Sequence, residues 1–270
     1  MSSAADTASG RSVSPVEIFS IGTELLIGRI HDSNSFWLAQ QLSELGATVG
    51  RITIVGDDAP TIVEALGDAV RRGARTVLTT GGLGPTPDDL TVACVATLVG
   101  VGTVVHGPVL ADFARRRELP EAELSPALHK MAVVPEGAEV LLNPAGLAPC
   151  IRLRHGETTF LLLPGPPGEV QAVFDRYVRE YFSGAAAGFR LARRVYVNMH
   201  EGELAPHARQ VMDAVPGTYI KGYIALANQQ RLPVDVVVSG ADEAAAQRHL
   251  EEAVALLGTL IEGAGRQLTG

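Results

Sequence analysis

Short apolar runs alternate with segments of helical periodicity from Val16 to Val99, and this alternation restricts the fold more than any other feature of the sequence. The runs predicted as strands are Val16 to Ile21, Val49 to Val55 and Arg75 to Thr80. The segments predicted as helices are Asn34 to Leu45, Pro60 to Arg72 and Pro87 to Val99. Strands separated by helices are typical of a parallel sheet with helices on both faces. We therefore expect an α/β fold with a mainly parallel sheet.

The rest of the chain is predicted to complete this domain and to add a smaller one. A helical pattern broken by prolines precedes strands at Glu139 to Leu142, Cys150 to Arg154 and Thr158 to Leu163, and a helix follows from Pro167 to Tyr181. The small residues from Ser183 to Gly188 predict a linker. We expect a disordered leader at 1–15, a large domain at 16–182, a linker at 183–189 and a small α+β domain at 190–265.

The small domain is predicted to contain three strands and two helices. The strands are Arg194 to Met199, Tyr219 to Ala225 and Leu232 to Ser239, and the helices are Glu203 to Ala214 and Ala241 to Ile261.

Composition restricts the class of protein and of ligand. Hydrophobic residues make up 46% of the 270 residues and charged residues 19%, as in a globular protein. A formal net charge of −8 disfavours broad binding to nucleic acid. Cys94 and Cys150 are far apart and have no zinc-ligand spacing. Because no signal peptide or membrane-spanning run is evident, we expect a cytoplasmic protein.

The segment TTGGLGPTPDDLT follows the third predicted strand and combines glycines with two adjacent aspartates. Gly81, Gly82 and Gly84 allow backbone N–H groups to approach a phosphate. Asp88 and Asp89 would repel that phosphate unless a divalent cation lies between them. The alternative is that these aspartates only favour the start of the helix predicted near Pro87.

Three other loops are expected at the same edge of the sheet, where ligands bind in open α/β folds. The first, GTELLIGRIHDSN, carries Glu24, and its Ser33 is predicted to cap the following helix. In the second, VGDDAP, one of Asp57 and Asp58 suffices as a helix cap. The third, LLLPGPPGEV, offers Gly165 and Gly168 as backbone donors for an anion, or forms an ordinary turn.

The order and spacing of five segments resemble the competence/damage-inducible protein A (CinA) family. These segments are GTELLIGRIHDSNSFWLAQQL, VGDD, TTGGLGPTPDDLT, HKMAVVPEGAEVLLNPAGLAP and LLLPGPPGEV. The resemblance implies a three-layer α/β/α domain of the molybdopterin-binding fold shared with MogA and MoaB, followed by a small K-homology-like domain. The C-terminal deamidase domain of longer members is not expected within these 270 residues.

The resemblance also implies an activity, a divalent-metal-dependent hydrolysis of ADP-ribose to AMP and ribose 5-phosphate, with Mg²⁺, Mn²⁺ or Co²⁺. It implies functional roles for Asp57 and Asp89 and places Lys130 near the phosphates, while Asp88 is a metal-ligand candidate only from the carboxylate argument above. The residues expected to bind the ligand are Gly22, Glu24, Asn34, Gly81, Gly82, Gly84, Thr86, Gly165 and Gly168. The chain departs from the family pattern at His129, Leu147 and Cys150, where arginine, threonine and glycine are expected.

Two functions remain open at this point. The first is a pyrophosphatase acting on ADP-ribose or a related dinucleotide. The second is a protein that binds molybdopterin or another phosphorylated pterin without hydrolysis. Binding of RNA by the small domain is disfavoured because no GxxG loop with basic neighbours is present. We expect a homodimer in which Lys221, one of only two lysines, lies over the partner's site.

Overall fold

A computed structural model describes residues 13–183, 189–227 and 231–270. The described residues form two compact units, one on each side of residues 184–188. The predicted linker at 183–189 therefore falls mostly outside the described residues, as do residues 1–12 of the predicted leader.

The first unit contains eight strands and eight helices among its described residues. The strands are β1 (Val16–Ile21), β2 (Val49–Val55), β3 (Thr76–Thr80), β4 (Thr103–Val105), β5 (Val133–Pro135), β6 (Glu139–Leu141), β7 (Cys150–His155) and β8 (Thr158–Leu163). The helices are α1 (Thr23–Leu26), α2 (Ser33–Glu44), α3 (Ala59–Arg71), α4 (Thr91–Val99), α5 (Gly107–Arg117), α6 (Pro126–Met131), α7 (Pro167–Val173) and α8 (Arg179–Ser183). A π-helical turn, Phe174–Val178, joins α7 to α8.

Six of these strands form the central sheet in the order β2-β1-β3-β8-β7-β6. The pairs β1 with β2, β1 with β3 and β3 with β8 are parallel, whereas β7 and β6 are added antiparallel. The predicted mainly parallel sheet is thus confirmed. The carboxyl ends of β1, β2, β3 and β8 lie at one edge of the sheet, and the loops that follow them meet there.

Helices cover both faces of the sheet. Successive residues of a strand point to opposite faces, so two buried neighbours in one strand show that both faces are covered. On one face, Phe19 of β1 belongs to a buried cluster with Ile62 of α3 and Val95 of α4. Its neighbour Ile18 is also fully buried and points to the other face, where α2 and α7 pack. The expected three-layer α/β/α arrangement is therefore confirmed.

The helix predicted to begin near Pro87 begins instead at Thr91. The carboxylate of Asp89 accepts hydrogen bonds from the Thr86 N–H at 2.8 Å and from the Thr86 hydroxyl at 2.5 Å. These bonds close a turn over residues 86–89, which delays the helix by four residues. Its first N–H, on Thr91, donates to the Gly82 carbonyl at 3.2 Å.

Two further differences from the sequence prediction concern short segments. Val13 is buried, and the Pro15 carbonyl accepts a hydrogen bond from the Arg75 N–H at 2.9 Å, so the last three residues of the predicted leader are packed. The β4–β5 ribbon was not predicted, because β4 is three residues long and exposed along its whole length.

The second unit is a four-stranded antiparallel sheet with two helices. Its strands are β9 (Phe189–Val197), β10 (Thr218–Gly222), β11 (Leu232–Gly240) and β12 (Leu268–Thr269), and its helices are α9 (Glu201–Ala214) and α10 (Glu243–Gly263). The strand order is β10-β11-β9-β12. One buried cluster joins Val195 and Val236 of the sheet to Leu204 of α9 and Leu257 of α10.

This unit has the α+β composition predicted from the sequence, with three local differences. The strand predicted at Arg194 to Met199 runs from Phe189 to Val197. The strand predicted to reach Ala225 ends at Gly222 and is followed by a 3-10 turn. The two-residue strand β12 is an addition. No helix in the described parts of the chain combines the length and the hydropathy needed to cross a bilayer.

Candidate functional site

A cleft of about 690 Å³ lies at the carboxyl edge of the parallel strands. It lies wholly within the first unit and is lined by the loops that follow β1, β2, β3 and β8. Ten of the residues predicted for ligand or metal binding line it, namely Gly22, Glu24, Asn34, Asp57, Gly81, Gly82, Gly84, Asp88, Asp89 and Gly165. Three predicted site residues, Thr86, Lys130 and Gly168, do not.

The glycines of the third loop are required by its backbone. Gly81 and Gly82 have φ values of +93° and +68°, in the left-handed region that favours glycine. A β-carbon would overlap the Ile21 carbonyl oxygen at Gly81 and the Thr91 hydroxyl at Gly82. The Gly81 N–H is occupied by the Leu163 carbonyl at 3.2 Å. No described residue accepts a hydrogen bond from the N–H of Gly82 or Gly84, so these two donors are available to a ligand.

Lys130 stabilises the backbone of this loop through hydrogen bonds. Its Nζ donates to the carbonyl oxygens of Gly84 at 3.2 Å, Thr86 at 2.6 Å and Asp89 at 2.9 Å. The ammonium group has three N–H donors, and all three are used. The structure therefore gives Lys130 a role in shaping the loop, and its predicted place near the phosphates stays a prediction.

The two aspartates of this loop differ in environment. Asp89 lines the cleft and binds Thr86 through Oδ2, while no described residue donates to its Oδ1. Asp88 is exposed at the mouth of the cleft. The Thr86 hydroxyl and the N–H of Asp88 lower the pKa of the Asp88 carboxyl, with the charge of Lys130 acting in the same direction.

The second loop divides its two aspartates between two tasks. Asp58 caps α3 by accepting from the Thr61 N–H at 3.0 Å and the Thr61 hydroxyl at 2.6 Å, which lowers the pKa of its carboxyl. Asp57 instead faces the cleft, where its Oδ2 accepts from the Thr23 N–H at 2.7 Å. The Thr23 hydroxyl in turn accepts from the Asp57 N–H at 3.1 Å. The prediction that one aspartate suffices as a cap is confirmed.

The first loop contributes Glu24 and Asn34. The carboxylate of Glu24 folds back over Gly22 and fills the space that a β-carbon would need there. Asn34 donates through Nδ2 to the Gly165 carbonyl at 2.7 Å and so joins the first loop to the fourth. Asp32, and not Ser33 as predicted, caps α2, since its carboxylate accepts from the N–H and hydroxyl of Ser35.

Glu169, in the first turn of α7, is a site residue that was not predicted. It lines the cleft and is half-buried. Its Oε2 accepts a hydrogen bond from Asn143 Nδ2 at 2.7 Å. Burial raises the pKa of the Glu169 carboxyl, and the Asn143 bond acts in the opposite direction. The only sequence signal was an acidic residue directly after the Pro-Gly-Pro-Pro-Gly turn.

Asn143, the partner of Glu169, is 1% exposed and fully hydrogen-bonded. Besides Glu169, its Nδ2 binds the Ala148 carbonyl at 2.9 Å, and its Oδ1 accepts from the N–H groups of Ala145 and Gly146. Arg116 stabilises the same loop by donating hydrogen bonds to the carbonyl oxygens of Asn143 and Gly146. The loop from Asn143 to Ala148 is thus fixed beneath the Glu169 carboxylate.

Only one of the three departures from the family pattern reaches the cleft. Leu147 lines it. Cys150 is fully buried in β7, and this burial raises the pKa of its thiol to about 12. The His129 side chain contacts the Ser125 carbonyl at 3.1 Å.

In the second unit, Lys221 is paired with Glu201 at 3.0 Å.

Asp57 and Asp89 are the carboxylates of the cleft that could hold a divalent cation, although the described residues contain no cluster of three metal-ligating side chains. Asp57 and Asp89 both line the cleft, and each commits only Oδ2 to a neighbouring loop. No described residue donates to the Oδ1 atom of either one. Mg²⁺ commonly binds to one or two carboxylates, with phosphate oxygens and water as its remaining ligands.

Comparisons with known proteins agree with this fold. A family model described as "Probable molybdopterin binding domain" matches residues 17–183. A protein from Pyrobaculum arsenaticum is 38% identical over 76% of this chain and 78% of its own length. A CinA-like protein from Kosmotoga olearia is 41% identical over 61% of this chain and 40% of its own length. The chain thus matches less than half of that CinA-like relative.

Among solved structures, a CinA protein of unknown function from Thermoplasma acidophilum is similar, with a TM-score of 0.57 and 30% identity. The match covers 61% of this chain and 97% of that one. The family model covers more than half of the chain, including all four loops of the cleft. This chain therefore belongs to the molybdopterin-binding domain family and, within it, to the CinA-like proteins.

Proposed function

We propose that the cleft binds a nucleotide with a pyrophosphate and hydrolyses it in a reaction that requires a divalent cation. The substrate is ADP-ribose or a related dinucleotide, and the products are AMP and a sugar phosphate. The observation that carries this proposal is the presence of Asp57 and Asp89 in the lining of the same cleft. Both carboxylates line one cleft beside a glycine loop, and each keeps an oxygen free of protein donors.

The residues have distinct roles in this proposal. Gly82 and Gly84 donate backbone N–H groups to the phosphates, and Lys130 keeps these donors in place through the loop carbonyls. Asp57 and Asp89 hold the cation, which neutralises phosphate charge and makes a bound water more acidic. Because Asp57 and Asp89 are each fixed by a neighbouring N–H, their carboxylates need little reorganisation on binding.

The test is AMP release from ADP-ribose with Mg²⁺, Mn²⁺ or Co²⁺. In Asp57→Asn and Asp89→Asn the amide oxygen still accepts from Thr23 or Thr86, so the loops are retained. We expect each variant to lower kcat by about a hundredfold or more, as when one group that stabilises transition-state charge is removed. Asp58→Asn is the matched control, because Asp58 caps a helix outside the cleft. A wild-type rate in Asp89→Asn would overturn the proposal.

A second candidate is a non-hydrolytic protein that binds molybdopterin or another phosphorylated pterin. The description of the matching family model supports it. Mass spectrometry of ligand that copurifies with the protein, followed by calorimetry with ADP-ribose, distinguishes the two. A bound pterin together with no turnover of any dinucleotide would favour this candidate. Light scattering tests the predicted homodimer.

A further inference from the structure

The Glu169 carboxylate has a place in the cleft that neither the phosphate nor the cation role accounts for. One oxygen, Oε2, is held by the buried Asn143. No described residue donates to the other, Oε1. The carboxylate lies against Gly146, where a β-carbon would overlap it. A glycine at 146 is therefore needed for Glu169 to occupy this position.

The support of this carboxylate is more extensive than an ordinary helix start requires. Asn143 has all of its side-chain hydrogen-bonding groups in use. Arg116, which holds the Asn143 loop, is itself fixed by the buried Asp112 through an ion pair of 2.7 Å. A fully satisfied buried network of this kind holds its members in one geometry. Here that geometry holds Glu169 in the lining of the cleft, with one carboxylate oxygen that accepts from no described residue.

The strand order fixes where Glu169 stands relative to the phosphate groups. Asp57 follows β2, the glycine loop follows β3, and Glu169 follows β8, which is adjacent to β3. Since neighbouring strands are spaced by about 4.8 Å, β2 and β8 lie about 14 Å apart. Glu169 thus lies one strand beyond the glycine loop, on the side away from Asp57. A group that extends from the phosphates away from Asp57 would lie on the side of Glu169.

A partly desolvated carboxylate selects among the groups that follow a phosphate in a nucleotide. It repels a further phosphate and accepts hydrogen bonds from hydroxyl groups. Vicinal hydroxyls offer two donors on one side of a sugar, and acidic residues bind ribose hydroxyls at the strand ends of other α/β folds.

We propose that Glu169 is a specificity residue that binds the ribose hydroxyls of a nucleotide whose phosphate lies on the glycine loop. The inference rests on the proposed function only in taking the ligand to be a nucleotide. It assigns Glu169 to binding, and Asn143 and Gly146 to positioning Glu169.

The experiment measures equilibrium binding, so it does not depend on turnover. AMP and 2′,3′-dideoxy-AMP are titrated by calorimetry in the presence of Mg²⁺ into wild type and Glu169→Gln. The glutamine oxygen still accepts from Asn143, and the amide that replaces Oε1 cannot accept from a hydroxyl. Glu180→Gln is the control, because it removes one exposed carboxylate after α7 that does not line the cleft.

We expect wild type and Glu180→Gln to bind AMP about tenfold or more tightly than the dideoxy nucleotide, the ratio typical of a hydrogen bond to a charged group. In Glu169→Gln the two nucleotides should bind within about twofold of each other, with an unchanged thermal midpoint. Equal binding of both nucleotides by wild type, or a ratio retained in Glu169→Gln, would overturn the inference.

The outcomes separate the two proposals. Suppose that Glu169→Gln loses the preference for AMP over 2′,3′-dideoxy-AMP and that the wild type does not hydrolyse ADP-ribose. This result supports the role of Glu169 and excludes the pyrophosphatase activity. If the wild type hydrolyses ADP-ribose and Glu169→Gln keeps the preference for AMP over 2′,3′-dideoxy-AMP, the role of Glu169 is excluded and the pyrophosphatase activity is retained. If wild type does not bind AMP at millimolar concentration, the inference fails.

Discussion

The chain contains two loops with adjacent aspartates, VGDDAP and PTPDDLT, and the structure uses them differently. In the first, Asp58 binds Thr61, three residues later, and begins a helix at once. In the second, Asp89 binds Thr86, three residues earlier, and closes a turn before the helix. The dipeptide is the same, but the threonine lies on opposite sides of it.

This difference decides which carboxylate of each pair is fixed by a hydrogen bond within the cleft. In VGDDAP the second aspartate serves the helix, so the first is left to face the cleft. In PTPDDLT the second aspartate serves the turn and lines the cleft with its other oxygen, while the first is exposed at the mouth. The roles of an aspartate pair before a helix are therefore not fixed by the pair itself, and in these two loops they depend on which threonine the second aspartate binds.

The largest expected loss of stability follows a substitution at a glycine of the glycine loop. Gly81 and Gly82 have left-handed backbone conformations, whereas Gly56 of the VGDDAP loop does not. We expect Gly81→Ala to lower the free energy of unfolding by roughly 2–4 kcal/mol, because a β-carbon adds strain and meets the Ile21 carbonyl. At Gly56 a β-carbon would lie 3.3 Å from Thr23 Oγ1, and Gly56→Ala should cost less than about 1 kcal/mol. Urea denaturation followed by the fluorescence of Trp37, the only tryptophan, measures both. Equal costs would contradict the comparison.

The next effect concerns Lys130, which supports the glycine loop and, among the described residues, makes no hydrogen bond with the VGDDAP loop. Lys130→Met keeps the aliphatic stem and removes three hydrogen-bond donors, so we expect a loss of about 1–3 kcal/mol. Hydrogen exchange should become faster for residues 84–90 and stay unchanged for residues 56–61. Lys221→Met, in the second unit, is the control and should leave the Trp37 signal unaltered. Faster exchange in both loops would show that Lys130 acts on the whole cleft.

The smallest effect is the pH dependence of the Asp58 cap. The pKa of Asp58 is lowered from its ordinary value of 3.8 by the bonds from Thr61, so its charged form stabilises the folded state above pH 3.8. This contribution is lost as the pH falls through the lowered pKa of the folded state. Asp58→Asn keeps a cap without a titrating group. The stabilities of wild type and Asp58→Asn should therefore converge on acidification, and a constant difference would argue against the cap.

Much of the fold could be predicted because each strand of the parallel sheet is a local signal. Apolar runs such as Val16–Ile21 and Thr158–Leu163 lie within one residue of the observed strands. The meeting of the four loops at one edge of the sheet was predictable, because the carboxyl ends of parallel strands lie at the same edge. Ten predicted residues line the cleft for that reason.

The parts that were not predicted depend on partners distant in sequence. Asn143 and Glu169 are 26 residues apart and meet because β6 and β8, the strands that precede them, flank β7 and end at the same edge of the sheet. Lys130 reaches carbonyl groups more than 40 residues away, and backbone carbonyls leave no trace in side-chain patterns. The start of α4 was misplaced because the Thr86–Asp89 turn competes with the helix for the same carboxylate.

The bond between Asn34 and Gly165 joins residues 131 positions apart in the chain, and β8, which precedes Gly165, is inserted beside β3. During synthesis the ribosome therefore delivers three parallel strands and the glycine loop long before their fourth neighbour. Until β8 emerges, β3 has an unpaired edge, which is open to wrong pairing. The newly made chain acquires its cleft only when the segment ending at Glu169 has left the ribosome.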